Sequence, residues 1–64
     1  MAITTLNFIF DHDNGSTVRF NEVNDKGLPK NLYGGAIIGA LYLRKDNMPG
    51  IDKCKKLSVE IRGE

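Results

Sequence analysis

The 64-residue sequence has little of the chemistry on which many protein functions depend. It holds one cysteine, Cys54, so no internal disulfide can form and a reducing compartment is expected. Its net charge of +1 excludes a strongly basic nucleic-acid protein and an acidic tail. The longest apolar run, residues 36–43, is interrupted by Gly39 and is far shorter than the roughly 20 residues of a membrane span. These absences predict a soluble cytoplasmic protein that does not contact a membrane.

Residues that could carry catalysis or bind a metal are also scarce. The densest polar cluster is residues 11–15, and its histidine, His12, has no nucleophile near it in the sequence. A hairpin tip explains this cluster, because Asp and Asn favour turns. Cys54 lies among lysines but has no second cysteine, which is typical of an incidental thiol. We therefore predict no catalytic residue, no metal and no cofactor, and expect that the protein is not an enzyme.

Alternating apolar residues predict a β-hairpin in the first third of the chain. The apolar positions recur with a period of two on either side of a turn at Asn14-Gly15: Leu6, Phe8, Phe10, Val18 and Phe20. A two-residue turn would set these side chains on different faces, since a one-residue slip reverses every side chain. A three-residue turn with Gly15 in the left-handed conformation keeps them together. This turn predicts that Phe10 lies opposite Val18, and Phe8 opposite Phe20.

Glu22 and the segment that follows it interrupt the pattern. In the chosen register Glu22 would lie opposite Leu6 on the apolar face, so we expect the strand to end or bulge near Asn21. Residues 24–35 then break both periodicities with two closely spaced pairs of turn residues, and they predict a long loop. Loops of this length in small domains are often functional, but a plain crossover between two hairpins is the simpler interpretation.

The second half predicts two further strands. Residues 36–45 are apolar on both faces, which is typical of a strand covered on both sides, and Gly39 indicates a bulge or a close approach. Pro49-Gly50 suits a type II turn. Residues 57–62 alternate as in a half-buried strand. The predicted fold class is all-β: a single domain, residues 1–64, with a small four-stranded antiparallel sheet built from two hairpins, its strands near 3–11, 17–23, 36–45 and 57–62.

Self-association is expected on two grounds. A chain of 64 residues without a disulfide or a structural metal is difficult to stabilise alone. The second apolar face of residues 36–45 would also remain bare in a monomer. We predict a two-fold homodimer whose sheets pack face to face, with edge-to-edge pairing as the competing geometry. The predicted oligomer interface consists of Ile9, Ile38, Ala40 and Tyr42.

Basic residues concentrate in the second half of the chain, where six basic and four acidic residues occur between positions 33 and 64. Aromatic residues beside a basic groove are a common means of holding single strands. A solvated face is the simpler interpretation, because the net charge is low. The candidate nucleic-acid-binding residues, placed along one edge, are Tyr42, Arg44, Lys45, Lys53, Lys55 and Lys56.

Two strand patterns resemble a family. Residues 39–45 read Gly-x-Leu-Tyr-x-x-Lys, and residues 55–61 read Lys-x-Leu-x-Val-x-Ile. In these patterns, residues 36–62 are similar to the C-terminal half of small uncharacterised bacterial and prophage β proteins. The resemblance implies a compact β unit and a mobile-element origin, and it assigns no catalytic residue.

The sequence thus favours a non-enzymatic interaction module. We expect a homo-oligomer that binds another macromolecule, namely an unidentified protein partner. The alternative is weak binding of single-stranded nucleic acid through the basic and aromatic edge.

Overall fold

The computed structural model describes residues 2–64, which form one antiparallel sheet of four strands curled into a half-barrel. The order of strands across the sheet is β3-β2-β1-β4. A short helix, α1, and one 3₁₀ turn interrupt the connections. The elements are β1 (Ala2–Asp13), β2 (Thr17–Val23), α1 (Lys30–Tyr33), β3 (Ala40–Arg44), the 3₁₀ turn (Ile51–Lys53) and β4 (Lys56–Gly63). The all-β, four-stranded antiparallel class is therefore confirmed.

Of the two predicted hairpins, only the first is present. β3 pairs with β2, and β4 pairs with β1, so the last two strands lie at opposite edges and make no second hairpin. The connection of residues 24–39 therefore returns to the neighbouring strand instead of crossing over. The chain crosses the sheet in residues 45–55, where Ile51 is buried against the core. This burial lets β4 reach the open side of β1.

The register of the first hairpin differs from the prediction by two residues. Phe10 lies opposite Phe20 and Phe8 lies opposite Glu22, because β1 continues to Asp13 and the turn starts one residue later. Next to the turn, Asp13 pairs with Val18, and this register alone would turn the phenylalanines outward. A bulge between residues 10 and 12 shifts the register by one and restores the apolar face.

The core lies on the inner, concave face of the sheet. Its buried members come from β1, β2 and the 3₁₀ turn: Leu6, Phe8, Val18, Phe20 and Ile51. Half-buried side chains of the edge strands pack around them: Leu41, Leu43, Leu57 and Val59. The rings of Phe10 and Phe20 meet edge to face with centroids 6.0 Å apart.

The third strand is shorter than predicted. It covers residues 40–44 instead of 36–45, and Tyr42 on its outer face is about half exposed. In the single chain the outer face of this strand is left uncovered, as the sequence predicts for a monomer. The predicted turn at Pro49-Gly50 is confirmed, since Gly50 has a φ of 89° and the Ile51 N–H donates to the Met48 carbonyl at 3.2 Å.

Candidate binding surface

A fully buried carboxylate organises one end of the sheet. Glu22 follows Phe20 on the inner face of β2 and has no exposed surface. Its Oε1 accepts hydrogen bonds from the backbone N–H groups of Ile37 at 3.0 Å, Ile38 at 2.8 Å and Gly39 at 3.0 Å. The ammonium group of Lys30 lies 3.0 Å from Oε2. A single side chain thus joins the helix α1 to the segment that leads into β3.

These contacts determine the ionisation of the carboxylate. Burial would raise the pKa of Glu22, because the charged form loses its hydration. The hydrogen bonds from Gly39, Ile38, Lys30 and Ile37 outweigh burial and lower the pKa from 4.5 to about 2. Glu22 is therefore charged at neutral pH, which is the form that can accept four donors.

Local hydrogen bonds shape the first half of the connection. The side chain of Asn24 accepts from the backbone N–H groups of Lys26 at 2.9 Å and Leu28 at 3.0 Å, which closes a tight turn. Pro29 then forms a bridge with Val23 and, in an extended conformation, is the residue immediately before α1. This turn carries the chain back over β2 and brings Lys30 to Glu22.

Gly39 is the last residue of the connection, directly before β3. Its φ of 87° lies in the left-handed region that favours glycine, and a Cβ atom there would lie 3.0 Å from the Asn31 side-chain oxygen. Its carbonyl accepts the Glu22 N–H at 2.9 Å. The predicted close approach at Gly39 is therefore confirmed, and the approaching groups are Glu22 and Asn31.

The connection held in this way presents apolar side chains to solvent. Five large apolar residues within eleven positions, here called the apolar loop, are exposed: Leu28, Leu32, Tyr33, Ile37 and Ile38. Leu32, Tyr33 and Ile37 are each more than 60% exposed. Single exposed apolar residues are ordinary, but a concentration of them in one ordered segment is typical of an interaction site. The structure thus reverses the usual arrangement: the charge is buried and the apolar side chains are outside.

Sequence reasoning missed this arrangement although the signal was present. An acidic residue at position 22 continues the inward-facing alternation of Val18 and Phe20. The strand end or bulge expected near Asn21 is wrong, because β2 pairs with β1 in unbroken register through Glu22 to Val23, and Glu22 is buried. The predicted bounds of 17–23 are confirmed. A buried carboxylate needs several donors, and the segment before β3 supplies three consecutive backbone N–H groups, those of residues 37–39.

The predicted basic residues do not share one edge. Tyr42, Arg44 and Lys45 lie on or just after β3, whereas the lysines at 53, 55 and 56 lead into β4 at the opposite edge. Arg44 pairs with Asp46 at 3.1 Å. Lys45 pairs with Asp13 at 2.8 Å, and its hydrogen bond lowers the pKa of that carboxyl.

Tyr42 has a partner of its own on the outer face. The guanidinium of Arg19 lies 5.8 Å from the centre of its ring and donates a hydrogen bond to its hydroxyl at 3.3 Å. In contrast, no ion pair within residues 2–64 involves Lys53, Lys55 or Lys56. These three lysines are the part of the predicted site whose charge is free for a ligand.

The predicted oligomer interface is spread over the outer face. Ile9 on β1 and Ala40 on β3 are half-buried, and Asn21 of β2 lies between them in the same cross-strand row. Tyr42 is on this face beside Arg19, while Ile38 belongs to the apolar loop. The outer face therefore alternates apolar and polar side chains, and nothing like a continuous apolar patch joins these four positions.

A groove of about 400 Å³ lies where the turn after β2 overhangs the outer face of β1 and β4. Its walls include Asn7, Val23, Asp25, Lys56 and Ser58. The two side chains considered for catalysis, His12 and Cys54, do not line this groove. His12 forms a hydrogen bond with its neighbour Asp11 at the end of the hairpin, and Cys54 is exposed between β3 and β4. This lining offers hydrogen-bonding groups without a nucleophile paired to a base.

Two further observations concern the described part of the chain. Among residues 2–64, no three His, Cys, Asp or Glu side chains are grouped so that they could hold a metal ion. No helix in that range is long and apolar enough to cross a membrane.

Comparisons with known proteins add no relative to this picture. No family model matches the chain, and neither the curated proteins nor the solved structures contain a match.

Proposed function

We propose that the chain is a non-enzymatic β interaction module that self-associates and binds another protein through the apolar loop. The observation that carries the proposal is the exposure of five large apolar side chains on a segment fixed by Glu22. A loop held in place before binding loses less conformational entropy on association, so its apolar side chains contribute more to affinity. An apolar groove on a partner protein is the complementary surface.

Position-specific photo-crosslinking in the source cell tests this proposal. A photoreactive phenylalanine analogue replaces Leu32, which is 79% exposed, and the matched control replaces Asp52, which is exposed outside the loop. We expect a discrete protein adduct from position 32 and none from position 52. Equal adducts from both positions, or none from either, would contradict binding through the apolar loop.

A second candidate function is weak binding of single-stranded nucleic acid. It is supported by Lys53, Lys55 and Lys56, which form no ion pair within residues 2–64 and lie close together in sequence. Three lysines can neutralise only a few phosphates, so binding should be weak and should decrease as the salt concentration rises. A fluorescent single strand titrated at low salt tests this function. We expect binding that disappears when all three lysines become glutamate, whereas no binding by the unmodified chain would remove this candidate.

The resemblance of residues 36–62 to small bacterial and prophage β proteins supports a mobile-element origin. Such an origin is consistent with a small module that acts on a partner protein, and it forms part of the proposal.

A further inference from the structure

Within residues 2–64, β4 is the last strand of the sheet and no strand pairs with its outer edge. β4 has eight residues, contains no proline, and pairs with β1 in an unbroken register from Ala2 opposite Gly63 to Ile9 opposite Lys56. Natural edge strands are usually short, bulged or covered, because a free edge can pair with another chain. β3, at the other edge, has only five residues. β4 is therefore the edge with the greater capacity to pair.

The backbone groups that point away from β1 can be identified. The Phe10 N–H donates to the Lys55 carbonyl at 2.9 Å, so residue 55 faces β1. In an antiparallel ladder the backbone N–H and C=O groups of successive residues point alternately to one neighbouring strand and to the opposite edge. The N–H and C=O groups of Lys56, Ser58, Glu60 and Arg62 therefore point to the free edge.

The side chains of these residues lie on the outer face and carry a particular charge order. Read along the strand, they are positive, neutral, negative and positive. In an antiparallel pair of identical strands centred on Ser58, each Lys56 lies opposite Glu60 of the second copy. Both pairs are attractive, and the central pair is Ser58 with its own symmetry mate.

Neighbouring registers are less favourable. A two-fold axis at residue 56, 60 or 62 places identical charges directly opposite one another, which is destabilising. An axis at residue 59 places Lys56 opposite Arg62. Axes at Ser58 and at Ile61 both bring free backbone groups together with two attractive charge pairs, Lys56 with Glu60 in the first register and Glu60 with Arg62 in the second. Only the axis at Ser58 also places Leu57 opposite Val59 on the inner face, whereas the axis at Ile61 places Val59 opposite Gly63.

We propose that two copies of the chain associate through β4, in antiparallel register about Ser58, to form one continuous eight-stranded sheet. This inference rests on the self-association in the proposed function and specifies its geometry. The inner face agrees with it, since Leu57 would lie opposite Val59 of the second copy and both are half-buried in the single chain. Pairing therefore extends the apolar layer across the two-fold axis while each apolar loop stays free.

Charge reversal at the two paired positions tests the register. Glu60→Lys should raise the dimer dissociation constant about tenfold or more, because two symmetry-related pairs change from attraction to repulsion. Lys56→Glu should do the same, and the double variant should restore association. Asp52→Lys changes the net charge equally outside the strand and should leave association unchanged. Sedimentation velocity at micromolar concentration measures all four variants.

Backbone and crosslinking variants separate this geometry from others. Ser58→Pro removes an N–H that points to the free edge, so it should abolish the dimer while circular dichroism retains the sheet signal. In a Cys54→Ser background, Ser58→Cys should form an intermolecular disulfide on oxidation, because facing residues of a hydrogen-bonded pair lie about 5.5 Å apart. Thr5→Cys, one strand inward, should form none.

The outcomes that overturn the inference are distinct from those that overturn the proposed function. A dimer that resists both Glu60→Lys and Ser58→Pro would show another interface, such as face-to-face packing. A monomer at all concentrations would remove self-association altogether. The crosslink at position 32 tests partner binding in either case.

Discussion

In the β1–β2 hairpin apolar side chains fill the core, whereas the connection of residues 24–39 is held by the buried carboxylate of Glu22, at the end of β2, and leaves its own large apolar side chains exposed. The hairpin is stabilised by removing apolar surface from water. The connection is specified by donors that converge on Glu22 and by the turn around Asn24. Apolar residues that are not needed to fold the connection are available for binding.

Substituting Leu6 in the hairpin and Leu32 in the connection tests this comparison. We expect the larger change in the free energy of unfolding at Leu6. Leu6 is only 2% exposed, so Leu6→Ala should lower the free energy of unfolding by about 2–5 kcal/mol through lost burial and a cavity. Urea denaturation measures the change. Ile3→Ala on the same strand, where the side chain is 55% exposed, is the control and should change it by less than about 0.5 kcal/mol. Similar losses at both positions would contradict the assigned core.

The connection should respond to pH more than the hairpin does. The pKa of Glu22 is lowered to about 2 from 4.5, so its contribution is fully present above about pH 5 and is lost as the pH falls towards 2. That loss should be on the order of 3 kcal/mol in the free energy of unfolding. Denaturation series at several pH values measure it. Glu22→Gln should flatten the dependence between pH 5 and 2, and an unchanged slope would contradict the role given to Glu22.

Removing the Glu22 carboxylate should destabilise the connection without unfolding the hairpin. Glu22→Leu leaves the N–H groups of residues 37–39 and the Lys30 ammonium without their acceptor. We expect a loss of about 1–3 kcal/mol, with the sheet retained and with fast amide hydrogen exchange confined to residues 37–39. Exchange accelerated equally in β1 and β2 would show that the connection and the hairpin unfold together.

The smallest effect is expected at the second leucine. Leu32→Ala should change the free energy of unfolding by less than about 0.5 kcal/mol, because the side chain is 79% exposed. The same variant should weaken partner binding if the apolar loop is the contact surface. A loss of stability comparable to that of Leu6→Ala would mean that Leu32 packs in the folded chain and is unavailable to a partner.

Sequence patterns predicted the parts of the fold that depend on local chemistry. The period of two identified the hairpin strands, and Pro49-Gly50 identified a turn whose glycine needs a positive φ. The register was wrong because the bulge at residue 11 depends on how the tip and the phenylalanines align together. The second predicted hairpin was also wrong, because no local sequence pattern specifies that β4 pairs with β1 and not with β3.

The candidate site was less predictable for a related reason. Hydrophobicity alone placed Ile37 and Ile38 in a strand, whereas their N–H groups bond to Glu22, fifteen and more positions earlier. An acidic residue inside an apolar alternation indicates that other groups must donate hydrogen bonds to its buried carboxylate. The sequence does not identify which groups are the donors. The basic residues show the same limit, because their grouping in sequence did not become a grouping on one edge.

The central position of β1 has a consequence for the order of folding. β1 meets β2 through a short turn, with Asp13 opposite Val18, but it meets β4 across almost the whole chain, with Leu6 opposite Val59. Closing a short loop loses less chain entropy than closing a long one, so we expect the hairpin to form first and β4 to dock last. Kinetic φ-values should then be higher for Val18→Ala than for Val59→Ala, and the reverse order would refute this sequence of events. Until β4 docks, both sides of the hairpin offer unpaired backbone, and it is in this interval that the chain is most exposed to mispairing with other copies.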